Sequence, residues 1–544
     1  MPQEASLSKR ISSLKRARGL LSAGLLAWAA WAGAADAVAP SLLVERFRVS
    51  GNTLLAPALI DATLAPFRGQ RTLEELRQAA EAVQRLYAQA GWGGVIAYLP
   101  PQNSDDGTVA LTVVEGKLAS VTVKGAKSFS DEQVRASLPD LAVGTTPRMR
   151  RIDTQIEIGN ENPAKRVQAL LKPGARPGEI AAELTVQDRP LQGLTASLDD
   201  TGNSRTGRYR AGFTWQHANL TGHDDVLTGQ YQTSPSQPSK VTVLSAGYRF
   251  PLPAQLAVLE GYLAYSDVDA GASSTAAGDV RINGRGNLGG LRGTAYLPRL
   301  GETDQRLALA LDHREYINQC EVGGLPSGAC GSASATVSVT PLTLEYSARA
   351  AGPPSWGVVV SALANLGIGG RHADAASFDA VRPGAKSGWS ALRSAANFNL
   401  PFAQSWLLRG RLALQWTGDA LVSGEQFGLG GAGAVRGYEE REVVGDRGLL
   451  ASLEVAGPEW LQRPRPDSPS LRGFAFVDAG VASNLLGAPC NGDRTRCTLS
   501  SAGLGLAGEG RGLQARIAAA VAMQDGTLTR RHDARVHFSL LYAF

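Results

Sequence analysis

Between residues 192 and 544 the chain runs through sixteen segments in which apolar and polar side chains alternate. They span roughly 192–201, 206–218, 223–232, 239–250, 254–267, 280–297, 304–317, 334–349, 355–367, 387–400, 404–417, 447–459, 471–482, 498–508, 511–523 and 533–544. A period of two is the signature of a strand, whose successive side chains point to opposite faces. Segment 404–417 narrows the fold most. Trp406, Leu408, Gly410, Leu412, Leu414 and Trp416 point one way, while Arg409, Arg411, Ala413 and Gln415 point the other. At about 3.4 Å per residue the two tryptophans stand roughly 34 Å apart along the strand. A tilt of about 40° reduces this to roughly 26 Å, close to the apolar band of a transmembrane barrel with its two aromatic girdles. The last segment alternates as cleanly: Val536, Phe538, Leu540, Tyr542 and Phe544 share one face, and Arg535, His537 and Ser539 the other.

The connections sort by side. With the first strand starting from the periplasm, even-to-odd links are short, apart from proline-rich 458–470. Odd-to-even links include five long ones, 268–279, 318–333, 368–386, 418–446 and 483–497. Short periplasmic turns and long outer loops are the barrel pattern. The 63 glycines suit strands and turns better than helix interiors. The expected fold is mainly β, a 16-stranded antiparallel transmembrane barrel over 191–544.

Residues 42–188 have a different texture. Strand 42–49, helices 56–64 and 73–90, and strands 95–99 and 108–114 give the order β-α-α-β-β. That order recurs after residue 117, with strand 119–123, a helix opening at Ser130, a helix over 149–158, and strands 166–171 and 180–186. Two units, 42–116 and 117–188, read as a duplicated α+β module. Ahead of them, Lys9, Arg10, Lys15, Arg16 and Arg18 precede an apolar run from Leu20 to Trp31 and the small residues Ala32-Gly33-Ala34. This predicts a signal peptide over 1–34, since the run is too short to span a bilayer. Its removal leaves 49 basic against 48 acidic residues, so the charge of +5 belongs mostly to targeting and gives no reason to expect nucleic acid as a partner. The cysteines fall in two outer loops. An exported chain with close pairs there predicts disulfides Cys320–Cys330 and Cys490–Cys497, and no histidine lies near enough to favour zinc.

Within this frame the sequence resembles the two-partner secretion transporters (TpsB, the haemolysin secretion/activation family), part of the POTRA-plus-barrel superfamily. The resemblance covers nearly the whole mature chain. Gly430-Gly431-Ala432-Gly433-Ala434-Val435-Arg436-Gly437-Tyr438 matches the family's VRGY loop, and Gly473-Phe474-Ala475-Phe476-Val477-Asp478-Ala479-Gly480 its F-x-D-x-G strand. Asn160-Glu161-Asn162-Pro163 with Arg166, Pro173 and Gly174 is similar to the second POTRA domain, and Asn219-Leu220-Thr221-Gly222 before Asp224 and Asp225 also fits. The resemblance implies that Arg436 and Asp478 pair inside the barrel and fix the loop. A carboxylate at 478 belongs on the lumen side, because charge on the lipid face costs a few kcal/mol. It further implies periplasmic POTRA domains that take an unfolded client on their sheet edges, and export of one large secreted partner with an N-terminal secretion domain (type Vb). Outer-membrane lipid and the barrel-assembly machinery are expected as the other partners, with Phe544 closing the last strand as an assembly signal.

Other readings fare worse. Two G-x-G-x-x-G matches, 428–433 and 503–508, open no helix after a buried parallel strand, so no dinucleotide site is expected. No G-x-S-x-G or H-E-x-x-H motif occurs, and neither enzyme activity, cofactor nor metal is expected. An assembly factor that inserts other barrels is the alternative, though such relatives usually carry more POTRA modules; a passive porin has no use for them. About seven residues separate Ala34 from Leu42, too few for a pore-plugging helix and its linker. That leaves loop 418–446 as the expected obstruction.

Overall fold

The stretch Leu42–Val49, read as one strand, is two. Ser41–Val44 pairs with Gly69–Thr72, and Arg46–Ser50 runs parallel to Thr108–Glu115. The switch lets one short segment hold both a small ribbon and the main sheet of the first module. The computed structural model describes residues 41–203, 206–268, 272–275, 278–281, 284–317, 335–461 and 468–544. The expected signal peptide, plug-free N-terminus and Cys320–Cys330 bridge lie outside the described residues.

In the first module, helices Pro57–Leu64 and Leu73–Gln89 pack on a three-stranded sheet completed by Val95–Tyr98. A capping box opens the longer helix: the Thr72 hydroxyl accepts the Glu75 amide, and Glu75 accepts the Thr72 amide. Ile60, Leu64, Val83, Tyr87, Leu111 and Val113 make the core. The second module repeats the plan with strands Lys117–Lys124, Lys165–Pro173 and Glu179–Asp188 and helices Asp131–Ala136 and Met149–Asn160. Its core extends into the barrel, because Leu118, Val134, Ile152, Val167 and Leu184 cluster with Ala218 and Val226.

The barrel strands are Gln192–Asp199, Arg210–Ala218, Val226–Thr233, Val241–Leu252, Ala257–Val268, Gly284–Leu300, Thr303–Ile317, Val337–Ala350 with a break at Thr340, Ser355–Asn365, Ser390–Phe402, Trp406–Thr417, Arg447–Ala456, Ser470–Ser483, Arg496–Gly510, Leu513–Ala522 and Ala534–Ala543. Among the described residues these sixteen antiparallel strands close on themselves, the sixteenth pairing with the first. The break at Thr340 is covered by the Asn365 side chain, whose Oδ1 accepts the Thr340 amide. Trp406 and Trp416 are exposed at the two ends of the eleventh strand's outer face. No helix among the described residues is long and apolar enough to cross a membrane.

The second module sits on the rim formed by the even-to-odd turns. Lys165 Nζ, fully buried, lies 2.5 Å from Asp224 Oδ2 in the turn after the second strand. Arg151 donates to the Ala254 carbonyl after the fourth strand. Glu157 and Glu161 take Arg306 at 2.6 and 2.5 Å, and Glu161 also takes Arg249 at 2.7 Å. The short turns therefore face the modules, and the long loops the opposite side.

Candidate functional site: a loop clamped in the barrel

Residues 418–446 leave the eleventh strand on the outer side and fold back into the lumen. Their tip carries Val435 and Tyr438, both fully buried. Arg436 reaches the thirteenth strand, where its Nε and Nη2 donate to Asp478 Oδ2 and Oδ1 at 2.7 and 2.8 Å. The Arg436 backbone amide donates to the same carboxylate at 3.1 Å. Ser452 donates to Asp478 Oδ1 at 2.6 Å, and Glu454 stands 3.4 Å from Arg436 Nη1. The guanidinium lies over the Phe476 ring, 3.3 Å from its centroid, while Phe474 takes Arg516 the same way. A bidentate ion pair whose carboxylate also accepts further donors is the geometry in which burial of charge is compensated.

The two glycines of these motifs have separate duties. Gly437 adopts φ of +94°, open to glycine without strain. Gly480 lies under the loop, and a Cβ there would stand 2.5 Å from Leu429. Tyr438 Oη lies 2.9 Å from the carbonyls of Ser500 and Gln524, fixing the tip to the next strand and outer loop.

Two further anchors carry no motif and were not foreseen. Glu425, fully buried, accepts Arg314 and Arg393, each at 2.9 Å, and the Tyr316 hydroxyl at 2.7 Å. Asp446 accepts Arg382 from the loop after the ninth strand, at 2.5 and 2.7 Å, together with the Leu421 and Leu485 amides. The loop is thus held from strands seven and ten, from strand thirteen, and from a neighbouring outer loop. In sequence, Arg314 and Arg393 show only charge at inward parity, which a wet lumen shows everywhere, and Glu425, Asp446 and Arg382 lie in loops where no strand period applies.

At the second module, Asn162 is buried and donates to the Asp224 carbonyl, with Pro163 beside it at the rim. Arg166 is exposed; its neighbour Lys165 makes the buried contact. Cys490 in the outer loop is disulfide-bonded to Cys497 at the start of the fourteenth strand.

A profile of the haemolysin secretion/activation proteins ShlB/FhaC/HecB matches residues 178–508, and one of the ShlB-type POTRA domain matches 42–116. The chain belongs to the ShlB/FhaC/HecB family. It is 23% identical over 462 residues to the outer membrane transporter CdiB of Dickeya dadantii, covering 82% of this chain and 77% of that one. The heme/hemopexin transporter protein HuxB of Haemophilus influenzae is 26% identical over 159 residues, 29% of this chain and 28% of that one. The solved structure of CdiB from Escherichia coli superposes with a TM-score of 0.78 at 20% identity, covering 94% of this chain and 92% of that chain. CdiB from Acinetobacter baumannii gives 0.69 at 16%, covering 93% and 90%. As a member of the ShlB/FhaC/HecB family, the chain is an outer-membrane transporter of two-partner secretion, its barrel in that membrane and its POTRA region in the periplasm.

Proposed function

We propose that this transporter captures one large exoprotein, unfolded and carrying an N-terminal secretion domain, on its POTRA sheet edges and passes it outward past a displaceable loop. The observation carrying this reading is the loop 418–446, clamped inside the lumen by side chains rather than by wall strands. Arg436–Asp478, Arg393–Glu425 and, from a neighbouring outer loop, Arg382–Asp446 are all side-chain ion pairs, so the constriction can be released without opening the barrel's hydrogen-bond ladder. The division at 42–116, 117–188 and 191–544, removal of 1–34, insertion by the barrel-assembly machinery into outer-membrane lipid, and the absence of enzymatic activity and of nucleic-acid partners belong to the same reading. Energy for export comes from folding of the client outside, since neither G-x-G-x-x-G match in the sequence has the strand-to-helix context of a nucleotide site.

Deleting 42–188 tests it. The expected result is a barrel that still inserts and shows heat-dependent gel mobility while the partner stays in the periplasm. Undiminished secretion by the deleted form would sink the reading.

A further inference from the structure

The barrel closes on its shortest contact. The sixteenth strand meets the first over five residue pairs, from Ala543↔Thr195 to Ser539↔Asp199, whereas every other pair of neighbouring barrel strands shares eight or more. Beyond Asp199 the two backbones part, and a side chain takes over. Asp200 Oδ1 accepts the Phe538 amide at 2.9 Å, and Oδ2 lies 2.8 Å from His537 Nδ1. The other ring nitrogen, Nε2, accepts the amide of Gly437 at 2.9 Å. His537 is 5% exposed, and Gly437 lies against Ala520, Ala522 and Ser501.

The hydrogen bonds fix the ring's state. Nε2 faces an N–H donor, so it carries no proton; Nδ1 carries the proton and donates a hydrogen bond to Asp200. Asp200 therefore selects the tautomer that receives the loop. The charged groups around this chain of bonds are Asp199 and Asp200 on the first strand and its end, Arg210 on the second, Glu439 and Glu440 on the loop, and Arg535 on the last strand, which pairs with Glu439 at 2.6 Å.

We infer that Asp200 and His537 are positioning residues that tie the seating of the constriction loop to closure of the barrel wall. Arg436 anchors one side of the loop tip to the thirteenth strand. His537 anchors the adjacent residue to the last strand, on the condition that the first strand is in place. If the wall parts at the seam, Asp200 leaves, the tautomer is no longer held, and the buried Gly437 amide loses its acceptor. The inference rests on reading 418–446 as the constriction of an export pore. Ion conductance reads the loop without any client, so failure of one leaves the other standing.

The test is single-channel recording of the full chain in planar bilayers, restricted to protein whose gel mobility shifts on heating. Asp200→Asn keeps an acceptor for Phe538 but turns an NH2 toward His537, favouring the tautomer with its proton on Nε2, against Gly437. It is expected to raise the frequency of open events about three- to tenfold, the worth of one buried hydrogen bond. His537→Gln accepts from Gly437 through its amide oxygen without help from Asp200 and is expected to stay near wild type. Adding Asp200→Asn to His537→Gln is expected to change little. His537→Ala, which removes the acceptor outright, is expected to open as Asp200→Asn does and carries the test should that variant not fold. Asp200→Asn at the wild-type level, or raising opening equally in both backgrounds, would overturn the inference; so would His537→Ala no more open than His537→Gln.

Discussion

Arg436 meets two carboxylates, and the difference between them sets what charge reversal does. Asp478 gives a bidentate contact, while Glu454 is farther from Arg436 and also takes Arg409 and Arg516. Reversing either partner alone leaves like charges in a buried site, at a cost of about 3–5 kcal/mol. Both single reversals, R436E and D478R, are therefore expected to abolish partner secretion. The double reversal restores the pair but sets the carboxylate introduced at position 436 beside Glu454, so recovery is expected to be partial, and adding Glu454→Gln is expected to improve it. Partner in the medium, measured against total, checks this; a double reversal no better than either single one would show that the pair does not act as a unit.

Lys165 makes a second prediction of the same kind. Its ammonium is fully buried against Asp224, whose backbone takes φ of +61°. Lys165→Met strands the carboxylate, again at about 3–5 kcal/mol. Asp224→Asn removes that charge and still tolerates the left-handed backbone. The single variant is expected to release the periplasmic modules to added protease faster than wild type, and the double variant to return toward the wild-type rate. Equal rates in all three would mean that this pair does not hold the module to the rim.

At the scale of elements, the first module holds its loop 51–56 through one carboxylate. Glu115 accepts the Thr53 and Leu54 amides, the Thr53 hydroxyl and the Tyr87 hydroxyl. Burial opposes its charge, but the bonds from Thr53, Leu54 and Tyr87 outweigh burial and hold the carboxyl below its ordinary value. A depressed folded pKa means that stability is fully present above the unfolded value and is lost as pH falls through the folded one. Protection of the Thr53 and Leu54 amides against hydrogen exchange, corrected for intrinsic rates, is expected to decline on the acid side of about pH 4.3. Glu115→Gln is expected to lower protection at neutral pH and to flatten the decline; an unchanged pH profile would assign it to another group.

Strand positions were readable because burial against lipid forces alternation, and the Trp406–Trp416 spacing sets the span. Elements outside that rule were not. Gly69–Thr72 has no apolar residue and forms only because Ser41–Val44 lies beside it. The Val44–Glu45 change of partner leaves no mark in a continuous strand-like run. Within the site, Arg436 and Asp478 stood out because short motifs frame them. Glu425 and Asp446 choose arginines 111, 32 and 64 residues away. No local period encodes such a choice, since every inward position of a wet barrel tolerates charge. Arg166 and Lys165 show the same limit at a single step: the motif marked the neighbourhood, and strand parity decided which cation went inside.

For the molecule as a whole, the wall and the obstruction are separable. Strands eleven and twelve pair directly from Leu407↔Ala456 to Gln415↔Gly448, so the ladder is complete without the loop between them. The loop's own core, Phe427, Leu429, Val435, Tyr438 and Val443, packs against Leu450, Ala482 and Leu499 on the lumen side and fills space rather than closing the wall. Replacing 427–444 with a short Gly-Ser linker removes that core together with Arg436 and the small ribbon of Phe427–Leu429 with Val443–Gly445, but leaves Glu425, Asp446 and every barrel strand. The expected product is a folded barrel with heat-dependent mobility, a bilayer conductance several times that of wild type, and no partner secretion, because an open lumen lacks the groups that a client must displace in order. Conductance unchanged by the replacement would place the main obstruction elsewhere. High conductance with secretion intact would make the loop a seal that export does not need.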